Sequence, residues 1–476
     1  MKKKLLLAYF RILVAFAHHY LSRFRPKVIG INGSVGKTSC RMIVYQTLQH
    51  FFPETRISTS PKNFNGELWL SLSVLEITER EPTIFYIFKT FFISFFRSFF
   101  GKPRYDIILL EYGIDRPGEM DFILKVAHPD IGIFTAIDAV HSEQFGSPAE
   151  IAAEEIKMAL HTKELVFLNH DDTYAMQLLP KIQVDKLTYQ TKGYDENADL
   201  SFSETDFVLW KAHHDIQSTF TLSLKGKTYD ITTNLIGKAN YGYIAVALAI
   251  VETLAYWGFV IASEPKAKRG NLKTAKKWIA SQARNDVPFS LPSKITLNYQ
   301  LQSGRLSIFE GKHDSVIFDS TYNASPLSMR KTIDTVHAIR SKLFPTSEIR
   351  LILGDMRELG DLTEKEHRLL AGYVSQTADR LFLLWASMSE YLADELDKIW
   401  FEKENLYVAT NLKDLNTRME KELKNADSPT LLVFKWSQNT IFLEESVKHF
   451  LKNKSDEKFL TRQGSYRAEK KKEFVK

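Results

Sequence analysis

KVIGINGSVGKT, from Lys27 to Thr38, is the stretch that indicates the fold class. Its apolar start, Val28 to Ile31, predicts a buried strand, and residues 39–45 after it predict the opening of a helix. A strand, a glycine-rich turn and a helix with Lys37 and Thr38 at the junction form a cradle for phosphate. Backbone N–H groups and the helix N-terminus face the anion, the lysine adds positive charge, and the hydroxyl can bind magnesium. The spacing departs from the strict G-x4-G-K-S/T pattern, because an isoleucine stands where the first glycine would be.

The composition is that of a globular protein of two or three domains. The chain has 476 residues, of which 44% are hydrophobic and 25% are charged. A single cysteine, Cys40, excludes an internal disulfide framework and fits a reducing cytosol. The net charge of +6 suits anionic substrates and does not require nucleic acid as a partner.

Two apolar segments carry regularly spaced basic or polar residues. Basic side chains recur every seven positions in residues 1–25, at Lys4, Arg11, His18 and Arg25. Residues 83–102 are mostly Phe and Ile, with polar side chains about one helical turn apart. Neither apolar stretch reaches the length of a membrane span, but a basic edge beside an aromatic face is typical of a helix that lies at a membrane surface. The alternative, that the two helices pack on each other or on the domain, is equally open.

After the phosphate loop, strands and helices alternate. Residues 106–110 predict a buried strand that ends at Glu111, and residues 130–135 predict another, followed by a loop with His141 and then a helix. This rhythm predicts a mostly parallel sheet with helices on both faces and with ligands at the carboxyl ends of the strands. Further strands are predicted at residues 165–168, 218–224, 228–235, 315–319, 349–353, 380–385 and 430–434, with a helix at 243–256 and a domain boundary near residue 300.

Seven blocks of sequence, in this order, point to a known family. They are GINGSVGKT (30–38), LLEYG (109–113), HSEQFGSPAEIA (141–152), QSGR (302–305), FDSTYNASPLSM (318–329), LGDMRELG (353–360) and KWSQNTIFLEE (435–445). Together they resemble the Mur ligases from about residue 26 to 450, and most of all the members that add D-alanyl-D-alanine to UDP-muramoyl-tripeptide. The second-unit blocks around Tyr322 and Met356 are the most specific, whereas the phosphate loop alone is a weak signal.

The resemblance implies an α/β fold with a central P-loop domain built on a parallel sheet and a C-terminal Rossmann-like domain. The expected segments are an N-terminal amphipathic helix at 1–25, the central domain at 26–300 with a Phe-rich insertion at 81–103, the C-terminal domain at 301–455 and a basic tail at 456–476. It also implies a cytoplasmic enzyme, in contact with the inner face of the cell membrane if residues 1–25 and 83–102 bind lipid.

The activity that the resemblance implies is ATP-dependent formation of an amide bond in peptidoglycan precursor synthesis. A substrate carboxylate is phosphorylated to an acyl phosphate, and an incoming amine displaces the phosphate. The implied cofactors are ATP and Mg²⁺, and the implied partners are small molecules, a peptidoglycan precursor and D-Ala-D-Ala. Two alternatives stay open: a ligase of the same chemistry for another carboxylate and amine at the membrane, and a catalytically weak ATP-binding scaffold.

The resemblance assigns roles to individual positions. The catalytic residues are Lys37, His141 and Glu155. The nucleotide site comprises Gly33, Ser34, Val35, Gly36, Lys37, Thr38, Asn240, Arg305 and Asp319. The magnesium ligands are Thr38, Glu111 and His141. The substrate-binding residues are Asn63, Asn65, Asn323, Lys435 and Ser437.

The chain also departs from the family pattern. Few residues precede the phosphate loop, so we expect a ligase without the family's separate UDP-binding domain. Glu155 stands where the family has a carbamylated lysine, fourteen positions after the histidine, with Lys157 on roughly the opposite face of the helix. Tyr243 replaces an asparagine, which predicts altered contacts to the adenine. Ser320 replaces an aspartate, and Trp436 replaces a glycine, where we expect crowding of a tight turn.

Overall fold

Two α/β units follow one another along the chain in the computed structural model. It describes residues 2–60, 67–77, 84–193, 195, 197–203, 205–209, 212, 214–259, 290–426, 429–437 and 442–463. The helices of the first unit are α1 (Lys2–Phe24), α2 (Lys37–Phe51), α3 (Glu67–Val74), α4 (Ile84–Phe99), α5 (Glu119–Leu124), α6 (Ser142–Phe145), α7 (Pro148–Leu160), α8 (Thr173–Leu178) and α9 (Lys238–Tyr256). Its strands are β1 (Lys27–Asn32), β2 (Ile57–Thr59), β3 (Ile107–Tyr112), β4 (Ile131–Phe134), β5 (Leu165–Asn169), β6 (Asp185–Tyr189), β7 (Leu200–Phe202), β8 (Asp206–Leu209), β9 (Ile216–Leu224), β10 (Lys227–Thr233) and β11 (Lys294–Leu297).

The second unit is also an α/β unit, with a smaller sheet of six strands. Its strands are β12 (Ser307–Gly311), β13 (Ser315–Ser320), β14 (Glu348–Gly354), β15 (Arg380–Leu384), β16 (Leu406–Ala409) and β17 (Thr430–Lys435). Its helices are α10 (Pro326–Leu343), α11 (Thr363–Leu369), α12 (Ala371–Thr377), α13 (Ala393–Lys398), α14 (Leu412–Lys424) and α15 (Glu444–Phe450). The strand order is β12-β13-β17-β14-β15-β16, parallel except for the β12–β13 pair.

The first sheet is parallel where the phosphate loop lies. Its order is β11-β10-β9-β7-β6-β5-β4-β1-β3-β2, with β8 paired to β9, and every pair from β2 to β7 is parallel. In register, Asn32 at the end of β1 lies beside Tyr112 of β3 and Phe134 of β4. Therefore the carboxyl ends of these three strands bring the phosphate loop, Glu111 and the loop that leads to His141 to one edge, as the alternation predicted.

Helices cover both faces of the first sheet. Ile29 and Ile31 of β1 pack on the face covered by α2 and α9, whereas Val28 packs with α1, α3 and α7 on the other. Burial on both faces explains why the strands read as continuous apolar runs. Helix α9 is long and apolar enough to cross a membrane, but about two thirds of it is buried inside the protein, as in a core helix. It begins at Lys238, five residues before the predicted start, and β10 ends two residues before the predicted strand end.

The two apolar basic segments form neighbouring helices. The ring of Phe16 on α1 meets Phe91, Phe95 and Phe99 of α4 at centroid distances of 5.6, 5.9 and 5.9 Å. Arg23 donates to the carbonyl of Phe99 at 2.7 Å. One face of α4 therefore packs on α1, as the interpretation of two helices packed on each other predicted.

Candidate active site between the two units

The phosphate loop has a backbone that only glycine adopts readily. Gly33 and Gly36 have φ values of 119° and 94°. A Cβ on Gly33 would lie 2.3 Å from Thr135 Oγ1, and the amide of Ser34 donates to Ala136 at 2.7 Å. Among the residues that the structure describes, no side chain caps the start of α2 at Gly36, so the first amides of a fifteen-residue helix are available to an anion.

Thr38 and Glu111 place two oxygen donors next to each other at this helix start. The hydroxyl of Thr38 donates to Glu111 Oε2 at 3.2 Å, and both side chains are buried. Hydroxyl and carboxylate oxygens are the ligands that Mg²⁺ prefers, so this pair fits the predicted magnesium site. Among the described residues, no group of three or more His, Cys, Asp or Glu side chains is arranged to hold a metal.

Arg41 holds Glu111 from the other side and was not predicted from the sequence. Its Nε donates to Glu111 Oε1 at 2.5 Å, and both partners are buried. Its Nη1 donates to Thr59 Oγ1 at 2.6 Å and to the carbonyl of Ser60. A basic residue four positions after Lys37, on the helix face that meets the sheet, was the signal that the sequence offered.

Glu155 reaches the phosphate loop from α7. Its Oε2 accepts from the amide of Gly33 at 3.1 Å and from Asn32 Nδ2 at 2.9 Å. Burial raises the pKa of this carboxyl, and the nearby Lys37 ammonium opposes the rise. Lys157 lies on the outer side of the helix, as predicted, since its Nζ bonds Asp121 at 2.6 Å.

Lys37 lies across the phosphate loop itself. Its Nζ donates to the carbonyl of Gly33, and Ser34 O is 3.5 Å away. Since the carboxylate of Glu155 also faces Gly33, the loop is bounded by one cation and one anion. The Lys37 ammonium and the Glu155 carboxylate therefore both lie next to the position where a phosphate would bind.

His141 links the two units. Its Nδ1 lies 3.0 Å from Glu358 Oε2 on the second unit, and its Nε2 lies 3.6 Å from Asp115 Oδ1. The hydrogen bond with His141 lowers the pKa of the Glu358 carboxyl. Both His141 and Glu358 adopt left-handed backbone angles, with φ of 69° and 65°. Neither carboxylate partner was predicted, although Glu358 lies in the LGDMRELG block.

Arg305 approaches the phosphate loop from the second unit. Its guanidinium lies 4.3 Å above the ring of Tyr322, and no group of the described residues bonds its buried Nε. Burial lowers the pKa of Arg305, and the charge of Glu111 on the first unit opposes that change. The guanidinium therefore lies between the units, and its contact with a nucleotide stays a prediction.

The remaining predicted residues of the second unit form one cluster. Lys435 Nζ donates to Ser320 Oγ at 3.1 Å and to the carbonyl of Asn323 at 2.9 Å. Ser437 donates to Asn323 Oδ1 at 3.0 Å. Burial lowers the pKa of Lys435 to about 7, and burial raises the pKa of Asp319 to about 6.

Trp436 does not crowd a turn as we expected. Its side chain is fully buried in the core of the second unit, and the guanidinium of Arg462 lies 5.2 Å from its ring. Arg462 is held by the buried carboxylate of Glu444 at 3.3 Å. The core thus accommodates the indole, and the segment that follows α15 packs over it.

Asn240, a predicted nucleotide-site residue, bonds the turn that precedes its own helix. The carboxamide of Asn240, in the first turn of α9, donates to the carbonyl of Ile236 at 2.8 Å. Asn63 and Asn65 lie outside the described residues.

A cavity of about 190 Å³ lies between the units, next to the loop that follows β4. Residues from both units line it, including Ala136, Asn169, Asp171, Lys192, Leu327 and Lys331. Burial lowers the pKa of Lys331 to about 8, with Asp171 opposing the change. Since Ala136 of the lining also accepts from the loop amide of Ser34, the cavity lies beside the cradle.

Comparison with known proteins places these features in a family. Residues 31–251 match the profile of the Mur ligase middle domain, and residues 304–435 match that of the Mur ligase, glutamate ligase domain. The chain belongs to the Mur ligase family. The predicted fold class is thereby confirmed, and the reaction type of the family is ATP-dependent C–N bond formation.

Individual Mur ligases are similar over most of the chain. The UDP-N-acetylmuramoyl-tripeptide–D-alanyl-D-alanine ligase of Bacillus subtilis is 26% identical, over 93% of this chain and 79% of the relative. The corresponding ligase of Borreliella burgdorferi is 24% identical, over 79% of this chain and 65% of the relative. Crystal structures of MurF from Acinetobacter baumannii and of MurF from Thermotoga maritima in complex with ADP superpose with TM-scores of 0.67 and 0.64. The two structures are 16% and 19% identical to this chain in sequence. The superpositions cover 93% and 92% of this chain and 80% and 82% of the MurF chains, so the likeness shows the fold.

Proposed function

We propose that this Mur ligase uses ATP and Mg²⁺ to join D-Ala-D-Ala to the tripeptide carboxylate of a UDP-muramoyl-tripeptide. The observation that carries the proposal is the phosphate loop, in which Lys37 bonds the carbonyl of Gly33 and Thr38 bonds Glu111, with Arg305 of the second unit nearby. The similarity to tripeptide ligases over most of the chain supports the choice of substrates.

In this reaction the loop residues bind and orient the nucleotide. The amides at the start of α2 and the Lys37 ammonium hold the phosphate chain, and Arg305 contacts it from the opposite side. Thr38 and Glu111 would hold Mg²⁺, which neutralises phosphate charge when bound. A carboxylate oxygen of the acceptor attacks the γ-phosphorus and ADP leaves; the amine nitrogen then attacks the acyl carbon and inorganic phosphate leaves.

Glu155 and the second-unit cluster complete the proposed assignments. Glu155 supplies directly the carboxylate that the family obtains from a carbamylated lysine, and it does so against Gly33. Asn323, Lys435 and Ser437 bind the incoming dipeptide, since they form one hydrogen-bonded group at the interface between the units.

The outer face of α4 supports a proposed location at the inner membrane surface. Phe88, Phe92, Phe96 and Phe100 are between 55% and 70% exposed and follow one another at helical spacing. Arg11, His18 and Arg23 of α1 and Lys89 of α4 are exposed on the same helix pair. This face favours a second candidate substrate with the same chemistry, a lipid-linked muramoyl peptide.

A ligase assay read by mass spectrometry tests the function. Purified protein, ATP and Mg²⁺ are incubated with D-Ala-D-Ala and either UDP-muramoyl-tripeptide or its lipid-linked form, and the pentapeptide product is scored. Lys37→Ala is the matched control, and it should lose at least about a hundredfold in rate while its melting temperature stays unchanged, because the ammonium stabilises the transferring phosphoryl group. Product from neither acceptor, or full activity in a folded Lys37→Ala variant, would refute the proposal.

A further inference from the structure

The start of α9 approaches the end of β6 unusually closely. A Cβ on Gly242 would lie 2.0 Å from the carbonyl oxygen of Gln190, so only glycine permits this approach. The next residue, Tyr243, is 3% exposed and packs in the core shared by α2 and α9. The close approach therefore fixes the phenol ring beside the phosphate loop.

The hydroxyl of Tyr243 lies directly against the phosphate loop. A Cβ on Gly36 would lie 2.0 Å from Tyr243 Oη. Since Gly36 precedes the first residue of α2, the hydroxyl is placed where the uncapped helix amides begin. The ring of Tyr189 lies 6.3 Å from the ring of Tyr243, and the buried Cys40 is also near it.

This hydroxyl differs from those of the other buried tyrosines nearby. Within the described part of the chain, Tyr243 Oη has no hydrogen-bond partner. In contrast, Tyr241 donates to Ser218 Oγ at 2.8 Å, Tyr189 donates to the carbonyl of Phe134 at 3.0 Å, and Tyr299 bonds Thr47 at 2.8 Å. Most polar side-chain atoms in protein interiors have a hydrogen-bond partner. The Tyr243 hydroxyl is therefore a donor that remains available to a ligand bound in the phosphate loop.

The chemistry of the group fits an anionic acceptor. Burial raises the pKa of Tyr243 further above its ordinary value, so the phenol stays protonated and can donate. Lys37 and Arg305 add positive charge around it, as does the N-terminus of α2. An oxygen of a phosphate chain bound in the loop is the acceptor that this position meets.

We propose that Tyr243 binds the phosphate chain of the nucleotide through its hydroxyl. The inference rests on the proposed nucleotide site and adds to it a residue that stands where the family pattern has an asparagine for the adenine. A phenol also donates and accepts, but Tyr243 Oη lies against Gly36 of the phosphate loop, where its O–H meets a phosphate oxygen. The position therefore contributes to phosphate binding and not to recognition of the base.

The test compares Tyr243→Phe with the parent and with Tyr241→Phe in the full chain. Equilibrium binding is measured for Mg·ATP and for inorganic tripolyphosphate, which carries the phosphate chain alone. We expect Tyr243→Phe to weaken both ligands by about tenfold or more, since a hydrogen bond to a charged group is lost, while the melting temperature stays close to that of the parent. Tyr241→Phe should lower the melting temperature and leave both affinities unchanged.

Two results would overturn the inference. The first is unchanged tripolyphosphate affinity in Tyr243→Phe. If ATP binding alone weakened, the hydroxyl would contact the base or the ribose instead of the phosphate chain. A parent protein that binds neither ligand would refute the proposed nucleotide site itself, and that outcome is separable because it does not depend on the variant. Should Tyr243→Phe melt well below the parent, Tyr243→His, which retains an N–H donor, must restore part of the tripolyphosphate affinity.

Discussion

In the proposed site, Glu155 supplies the negative charge that the family places on a carbamylated lysine. A carbamylated lysine carries its negative charge at the end of a long side chain, whereas glutamate is shorter. The shorter side chain still reaches the phosphate loop because α7 packs against the end of β1. There Asn32 Nδ2 and the Gly33 amide donate directly to the carboxylate. The carboxylate therefore needs no carbon dioxide to form.

Glu155→Ala should be poorly active, and the parent should not depend on dissolved carbon dioxide. Glu155→Lys should gain that dependence, with bicarbonate restoring part of its activity, because carbamylation would rebuild the carboxylate. Turnover with and without bicarbonate measures both effects, and Lys157→Ala serves as the control because its side chain faces Asp121 on the outside. A fully active Glu155→Ala would remove this residue from the site.

At the same scale, the sequence predicts residue types better than their partners. Lys37, Thr38 and Glu111 follow from local motifs, because a phosphate loop and a strand end are short-range patterns. Arg41 binds Glu111 across 70 positions in sequence, and Glu358 meets His141 across more than 200. Such partners depend on how separate elements pack, so a single sequence carries little signal for them.

At the scale of elements, helix α4 divides its phenylalanines between two environments. Phe91 and Phe95 pack on Phe16 of α1, and the other face remains exposed. The periodicity predicted the helix but left its surroundings open, since an aromatic stripe suits a core and a membrane surface equally. The structure shows that one face of α4 packs on α1 and that the opposite face is exposed.

If the outer face of α4 binds the membrane, the full chain should co-sediment with anionic vesicles more than with neutral ones. High salt should weaken the binding, because the basic residues supply an electrostatic part and the rings a hydrophobic part. Phe88→Ser, Phe92→Ser and Phe96→Ser combined should abolish sedimentation without loss of fold. Ile399→Ser and Trp400→Ser, which alter exposed apolar residues of the second unit, serve as the matched control. A parent chain that stays in the supernatant at low salt would exclude the membrane contact.

At the scale of the whole molecule, the site exists only where the two units meet. Arg305 comes from the second unit and Lys37 from the first. The His141–Glu358 contact at 3.0 Å joins the loop after β4 of the first unit to the loop after β14 of the second. The sequence predicts each unit separately, because βαβ alternation is local. How the units face each other follows from side chains such as Glu358 that no periodicity marks.

The His141–Glu358 contact should therefore contribute to stability in a pH-dependent way. The hydrogen bond lowers the pKa of Glu358 below its ordinary value of 4.5, so the unfolded chain binds more protons in the range between the two values. The contribution is fully present above pH 4.5 and is lost as the pH falls through the folded pKa. Because the carboxylate is partly exposed, we expect only a few tenths to about 1 kcal/mol at neutral pH.

Urea unfolding of the parent and of Glu358→Gln at pH 7 and at pH 3.5 measures this contribution. The variant should be less stable at pH 7, and the difference should shrink at pH 3.5, because the parent carboxyl is then increasingly protonated and resembles the amide. Glu364→Gln, which alters an exposed carboxylate paired within α11, is the control and should leave the contact between the units intact. A difference that stays constant or grows on acidification would mean that the carboxylate charge does not hold the units together. Steric packing of the loop at Glu358 would then be the cause of the docking.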